Sequence, residues 1–130
     1  MENKNLSFNY KDLIVWQKAF CLCLEIYKVT SGFPRSELYG LVSQLRRAAV
    51  SIPSNIAEGH SRRYTKEFMN YLSISLGSCS ELETQLLIAN QLGYTEANAF
   101  QDLSQGIVEI IKMIRALWKS LGAKVWGDGG

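Results

Sequence analysis

Four successive stretches of this chain repeat their apolar residues at the helical period, and only short breaks separate them. The intervals are i, i+3/i+4 and i+7, which line one side of an α-helix. Leu13, Trp16, Phe20, Cys23 or Leu24, and Tyr27 mark the first stretch, expected over Tyr10 to Thr30. Ser31-Gly32-Phe33-Pro34 should end it, because glycine suits a left-handed cap and proline cannot continue a helix. The second is expected from Ser36, as N-cap, to Gly59, with Leu38, Leu41, Leu45, Ala48 or Ala49, Ile52 and Ile56 in phase across Pro53. The third runs from about Thr65 to Leu92 on Phe68, Leu72, Leu76, Cys79, Leu82, Leu86 and Ala89. The fourth runs from Thr95-Glu96 to about Gly122 on Phe100, Leu103, Ile107, Ile110, Ile114, Leu117 and Leu121. Each stretch spans roughly 20 to 28 residues, or about 30–40 Å at 1.5 Å per residue. No alternating strand pattern competes. Helices of similar length with short loops predict an all-α, antiparallel up-down four-helix bundle.

Three details refine that expectation. Proline inside a helix removes a hydrogen bond and crowds the preceding turn, at about 3 kcal/mol. The unbroken phase across Pro53 therefore predicts one kinked helix rather than two. Ser73, Gly77, Ser80 and Thr84 form a stripe of small residues on the third helix, where another backbone could approach closely. The fourth helix adds Val108, Ile111 and Trp118 beside its main stripe. Either this helix is deeply buried, or the extra stripe packs on a second subunit.

A chain of 130 residues is most simply one domain, with a core over about 10–122 and a flexible tail over 123–130. With 47% hydrophobic and 20% charged residues, it has enough apolar surface to fold without disulfides. The first residues contain no apolar signal segment and no stretch approaches the length of a membrane span, so the cytoplasm is the expected location. The three cysteines are an odd number and suit a reducing compartment. Cys21 and Cys23 point about 200° apart on a helix and are not expected to pair or to share a metal; all three cysteines are expected as small buried apolar residues.

Little in the chain resembles a catalytic or cofactor site. His60 is the one histidine, expected at the surface, solvated or facing nucleic acid. A di-iron bundle would need two Glu-x-x-His pairs. No nucleophile elbow, Walker loop or dinucleotide fingerprint is present. No enzyme activity, metal or cofactor is expected. Asn55, Glu58 and Glu81 are candidates for a polar network with Arg46 or Arg47, or else face solvent.

The functional signal is charge. The net charge is +2. Between Ser43 and Lys66, however, Arg46, Arg47, Arg62, Arg63 and Lys66 oppose only Glu58, which leaves the rest of the chain at −2. Arginine contacts phosphate through paired donors, and Tyr64 could stack on an unpaired base. A few basic residues at a helix junction are ordinarily a solvated face. Repetition around a closed oligomer would raise their avidity.

Several stretches together carry a family resemblance: Leu13-Ile14-Val15-Trp16-Gln17-Lys18-Ala19, Phe33-Pro34 with Glu37-Leu38-Tyr39-Gly40-Leu41, the run Gln44 to Gly59, Gly77-Ser78 with Glu81-Leu82-Glu83, and Leu92-Gly93-Tyr94. The Arg47-to-Gly59 portion is the most specific. The chain resembles the four-helix bundle family related to proteins encoded in intervening sequences of bacterial 23S ribosomal RNA genes. The resemblance implies an antiparallel bundle that assembles as a homopentamer around a central channel, with no established enzymatic activity. A more distant branch serves diversity-generating retroelements as a basic, pentameric accessory protein that binds a reverse transcriptase and nucleic acid. This chain is only mildly basic by comparison. The leading expectation is a non-enzymatic accessory protein associated with RNA or DNA. A scaffold that binds a partner protein without nucleic acid is the alternative, and a small-molecule or metal binder is a third class.

Overall fold

The computed structural model describes residues 9–127 and, among these, contains helices and no strand. Its long helices are α1 (Ile14–Thr30), α2 (Leu41–His60), α3 (Thr65–Gln91) and α4 (Ala97–Trp126). They pack in chain order around one core, with α1 closing against α4. Leu45, Ile52, Ile56, Leu72, Leu82, Ile107 and Ile114 are fully buried at its centre.

The helix ends differ from the sequence expectations for local reasons. A 3-10 turn at Tyr10–Asp12 precedes α1, because the Asn9 side chain accepts the Lys11 N–H at 2.7 Å and Leu13 is extended. Ser36 does not cap α2. It lies in a second 3-10 turn, Arg35–Glu37, and the Glu37 carboxylate instead accepts the Leu41 N–H at 3.3 Å. The other Glu37 oxygen accepts the Tyr94 hydroxyl at 3.0 Å, and the Tyr94 ring meets Phe33 at 5.4 Å. The hydrogen bond to Glu37 holds the Tyr94 phenol above its ordinary pKa. Tyr94 is placed by a Schellman turn, in which its N–H bonds to Ala89 and the Gly93 N–H bonds to Asn90. Gly93 has φ +79°, which only glycine adopts freely. The α4 helix runs four residues past the expected stop at Gly122, so 123–126 are helical rather than a tail. Residues 128–130 lie outside the described residues.

The buried face of α1 is not the expected one. Val15, Ala19, Leu22 and Ile26 face the core, whereas Phe20, Leu24 and Tyr27 are 44%, 56% and 40% exposed. Both stripes are apolar, so periodicity alone could not choose between them. The small Ala19 lets a neighbouring helix come close. On the outer stripe, Trp16 stacks on Phe20 at 5.1 Å and meets Tyr10 edge-on at 5.3 Å.

The α2 helix is continuous across Pro53. Its closest neighbour is α3. Around the proline, Ser75 Oγ donates to the Ile52 carbonyl at 2.9 Å, Ser51 and Ser78 hydroxyls meet at 2.7 Å, and Asn55 donates to the Ser51 carbonyl and hydroxyl. These contacts brace α2 where the proline has removed a backbone donor. Ser75→Ala is expected to cost about 1 kcal/mol in a denaturant melt, the usual net value of one such bond. An unchanged midpoint would show that the brace is idle. The small stripe Ser73-Gly77-Ser80-Thr84 does not make the close approach. It faces outward, and a Cβ at Gly77 would meet nothing within 4 Å.

Candidate nucleic-acid interface

The sequence-derived basic residues fall into two groups, separated along α2 by about 24 Å at 1.5 Å per residue. Arg46 is largely consumed by the fold. Its Nε donates to Thr30 Oγ1 at 3.0 Å, a terminal nitrogen reaches the Tyr27 carbonyl at 3.4 Å, and its guanidinium lies 4.6 Å from the Tyr27 ring centre. A cation there suits the C-terminal carbonyls of α1. Arg47 is exposed and shares a shallow recess with Glu81, Ser78 and Tyr39.

The second group sits where α2 turns into α3. Arg62 pairs with Glu58 at 2.8 Å, donates to the Tyr71 hydroxyl and lies over the Tyr71 ring. Glu58 is therefore matched by Arg62 rather than by Arg46 or Arg47. The expected Asn55–Glu58–Glu81 network does not form: Asn55 bonds to Ser51, and Glu81 is exposed. Arg63 is exposed, 5.5 Å from the ring centre of half-buried Tyr64. Exposed Lys66 sits 5.8 Å from the ring centre of Trp126, which in turn meets Trp118 at 6.2 Å.

The contact between Lys66 and Trp126 brings in residues that sequence reasoning missed. Between Ile110 and Gly127 the chain carries Lys112, Arg115, Lys119 and Lys124 with no acid. A charge count that continued along α4 would have found that run. Its proximity to the α2–α3 junction depends on packing across sixty residues, which no local window contains. The resulting surface joins Arg63, Lys66 and Tyr64 to Trp118 and half-exposed Trp126, with exposed Lys119 two turns before Trp126 on the same side of α4.

His60 is not at the surface. It is buried as the last residue of α2, edge-on to Phe68 at 5.7 Å. The cysteines also divide. Cys21 is exposed, contrary to expectation, Cys23 is half-buried, and Cys79 is buried. Burial, then the nearby Glu83 charge, pushes the Cys79 thiol up to about 12. Iodoacetamide at about pH 8 is therefore expected to alkylate Cys21 and spare Cys79 in the native protein. Mass-spectrometric detection of rapid Cys79 modification would contradict this. Among the described residues, no three His, Cys, Asp or Glu side chains stand together as a metal site, and no helix is long and apolar enough to cross a membrane.

Residues 11–116 match the family described as 23S rRNA-intervening sequence protein. The chain belongs to that family. A crystal structure of a protein of unknown function from the S23 ribosomal protein family of Bacteroides thetaiotaomicron is similar, with a TM-score of 0.74 and 23% identity, over 82% of this chain and 99% of that one. At that identity the likeness is one of fold. No curated protein matches. Within this chain, the run from Gln44 to Gly59 is structural in large part. Leu45, Ala48, Ala49, Ile52 and Ile56 are core, Arg46 ties α2 to α1, and Gly59 sits against α3. Trp118, Lys119, Lys124 and Trp126 lie beyond the matched span.

Proposed function

We propose that this protein is a non-enzymatic accessory factor that binds RNA and works as a homo-oligomer. The observation that carries the proposal is the basic and aromatic surface at the α2–α3 junction and the end of α4. Lysine and arginine there would neutralise phosphates, and Tyr64 and Trp126 offer ring faces on which unpaired bases can stack. Arg62 would contribute through a guanidinium already oriented by Glu58 and Tyr71. Arg46 is held within the bundle and Arg47 stands apart, so both are secondary. The bundle is taken as antiparallel and up-down, with α2 bent at Pro53. The pairs Ser51–Ser78, Ile52–Ser75 and His60–Phe68, which fall in opposite order along α2 and α3, fit the antiparallel sense for that pair of helices. Three free thiols suit a reducing cytoplasm.

Self-association would use the exposed apolar stripe of α1 with α2, where Trp16, Phe20, Leu24, Val50 and Pro53 border a shallow groove of about 330 Å³. The number five comes from the family resemblance alone. The same surface also suits a partner protein, as in a scaffold with no nucleic acid. Binding of such a partner would persist in high salt, where phosphate contacts fail.

The test is a fluorescence-anisotropy titration of nuclease-treated protein with labelled single-stranded RNA, with light scattering in parallel. Affinity is expected to fall steeply between about 50 and 200 mM salt, with quenching of tryptophan emission. No binding at low salt would remove nucleic acid and leave the scaffold. A monomer at every concentration would remove the oligomer.

A further inference from the structure

On the side of the bundle away from α2 and α3, α1 and α4 meet less than the other neighbouring pairs. Their seam opens into a groove of about 860 Å³. Leu22, Leu103 and Ile110 form its floor, and all three are buried. Gly106 of α4 leaves the floor without a side chain beside Leu22, where a Cβ would sit in ordinary contact at 3.6 Å. The rim is acidic. Glu25 of α1 and Asp102 of α4 are exposed there, and Glu109 is joined at 2.6 Å to Lys18, the one basic residue among the described residues that line the groove.

We propose that this groove docks a basic amphipathic helix of a partner protein. Three observations argue for that occupant. The lining runs from Ile14 to Val29 on α1 and from Ala99 to Ile110 on α4, about 22 Å and 16 Å at 1.5 Å per residue, which matches three to four turns of helix. A continuous apolar floor between two helices accepts side chains at i, i+3/i+4 and i+7 of a third. The rim carries three carboxylates against one ammonium, so lysine or arginine flanking those anchors would be matched and acids would be repelled. The Lys18–Glu109 pair is half exposed on both sides. Such pairs contribute little, and an incoming cation can replace Lys18 at Glu109 with small loss. The acidic rim separates this site from the RNA surface and from the uncharged α1–α2 stripe.

The test uses the full chain and two fluorescein-labelled synthetic helices of about 14 residues. Both carry leucine at the i, i+3/i+4 and i+7 positions, one with lysine elsewhere and the other with glutamate. The lysine peptide is expected to bind at least tenfold more tightly than the glutamate twin. The double variant Glu25→Lys/Asp102→Lys, at exposed positions that the fold does not use, should weaken it tenfold or more. Gly106→Leu, which fills the floor, should do the same. Amide shifts on peptide addition should centre on Leu22 and Leu103. Alanine at Arg63, Lys66 and Lys119 should leave peptide binding intact, which separates this site from the RNA surface. Equal binding of both peptides, unchanged binding by the charge-reversed variant, or shifts centred on Phe20 and Val50 would overturn the proposal. So would loss of self-association in Glu25→Lys/Asp102→Lys, because the occupant would then be a second copy.

Discussion

Gly59→Ala is expected to destabilise the protein by about 2 kcal/mol, although alanine is the better helix former. A Cβ at this position would lie 2.6 Å from Tyr71 Cβ, 2.9 Å from Phe68 Cδ1 and 3.2 Å from the Phe68 carbonyl oxygen. Two of these atoms belong to the α3 backbone or stand directly on it, so no rotamer change can relieve the contact. The helices must separate, and overpacking of this kind costs about 1–3 kcal/mol, here at the upper end. Improved helix propensity returns about 1 kcal/mol. For a chain of this size, the net loss corresponds to roughly 6–10 °C in Tm. Gly77→Ala provides the opposite sign. It meets nothing within 4 Å on an exposed helical face, so the propensity term of about 0.5–1 kcal/mol should appear as added stability. Thermal melts followed by circular dichroism compare the two. Equal shifts would mean that α2 and α3 are not in close contact at Gly59.

The combined variant Arg63→Ala/Lys66→Ala/Lys119→Ala is expected to weaken RNA binding and flatten its salt dependence. All three side chains are exposed, so the fold should be kept. If each neutralises one phosphate, the slope of log K against log salt falls in magnitude by about 2, at roughly 0.7 per single-strand contact. Arg47→Ala, far along α2, should leave the slope unchanged. Arg46→Ala should act on stability instead, since that guanidinium joins the end of α1 to α2. An undiminished slope in the triple variant, or a large loss with Arg47→Ala, would move the contact surface to the middle of α2.

The fold was legible where periodicity was unambiguous. The third helix was anticipated within a residue, because Phe68, Leu72, Cys79, Leu82 and Leu86 leave only one face apolar enough to bury. The first helix was placed but turned the wrong way, since Trp16, Phe20 and Leu24 compete with Val15, Ala19 and Leu22 on apolar character alone. Ser36-Glu37 looked like a helix start, yet the capping group is a carboxylate that reaches forward to Leu41 and sideways to Tyr94. The matched motifs around Phe33-Glu37 and Leu92-Tyr94 are thus two halves of one tertiary contact. The sequence pattern ends the second helix at Gly59, whereas the missing side chain there serves the approach of α3, and the helix continues to a buried His60. In the candidate interface, the sequence identified the cations beside Tyr64. The meeting of Lys66 with Trp126 needed the packing of α3 on α4.

The most direct measurement is ultraviolet cross-linking of the full protein to single-stranded RNA carrying 4-thiouridine, with the attached residues located by mass spectrometry. Adducts at Tyr64 and Trp126, and on the peptides spanning Arg62 to Lys66 and Trp118 to Trp126, are the expected result. Adducts confined to the Tyr39–Arg47 region, or none under conditions where anisotropy reports binding, would contradict an RNA surface at this end of the bundle.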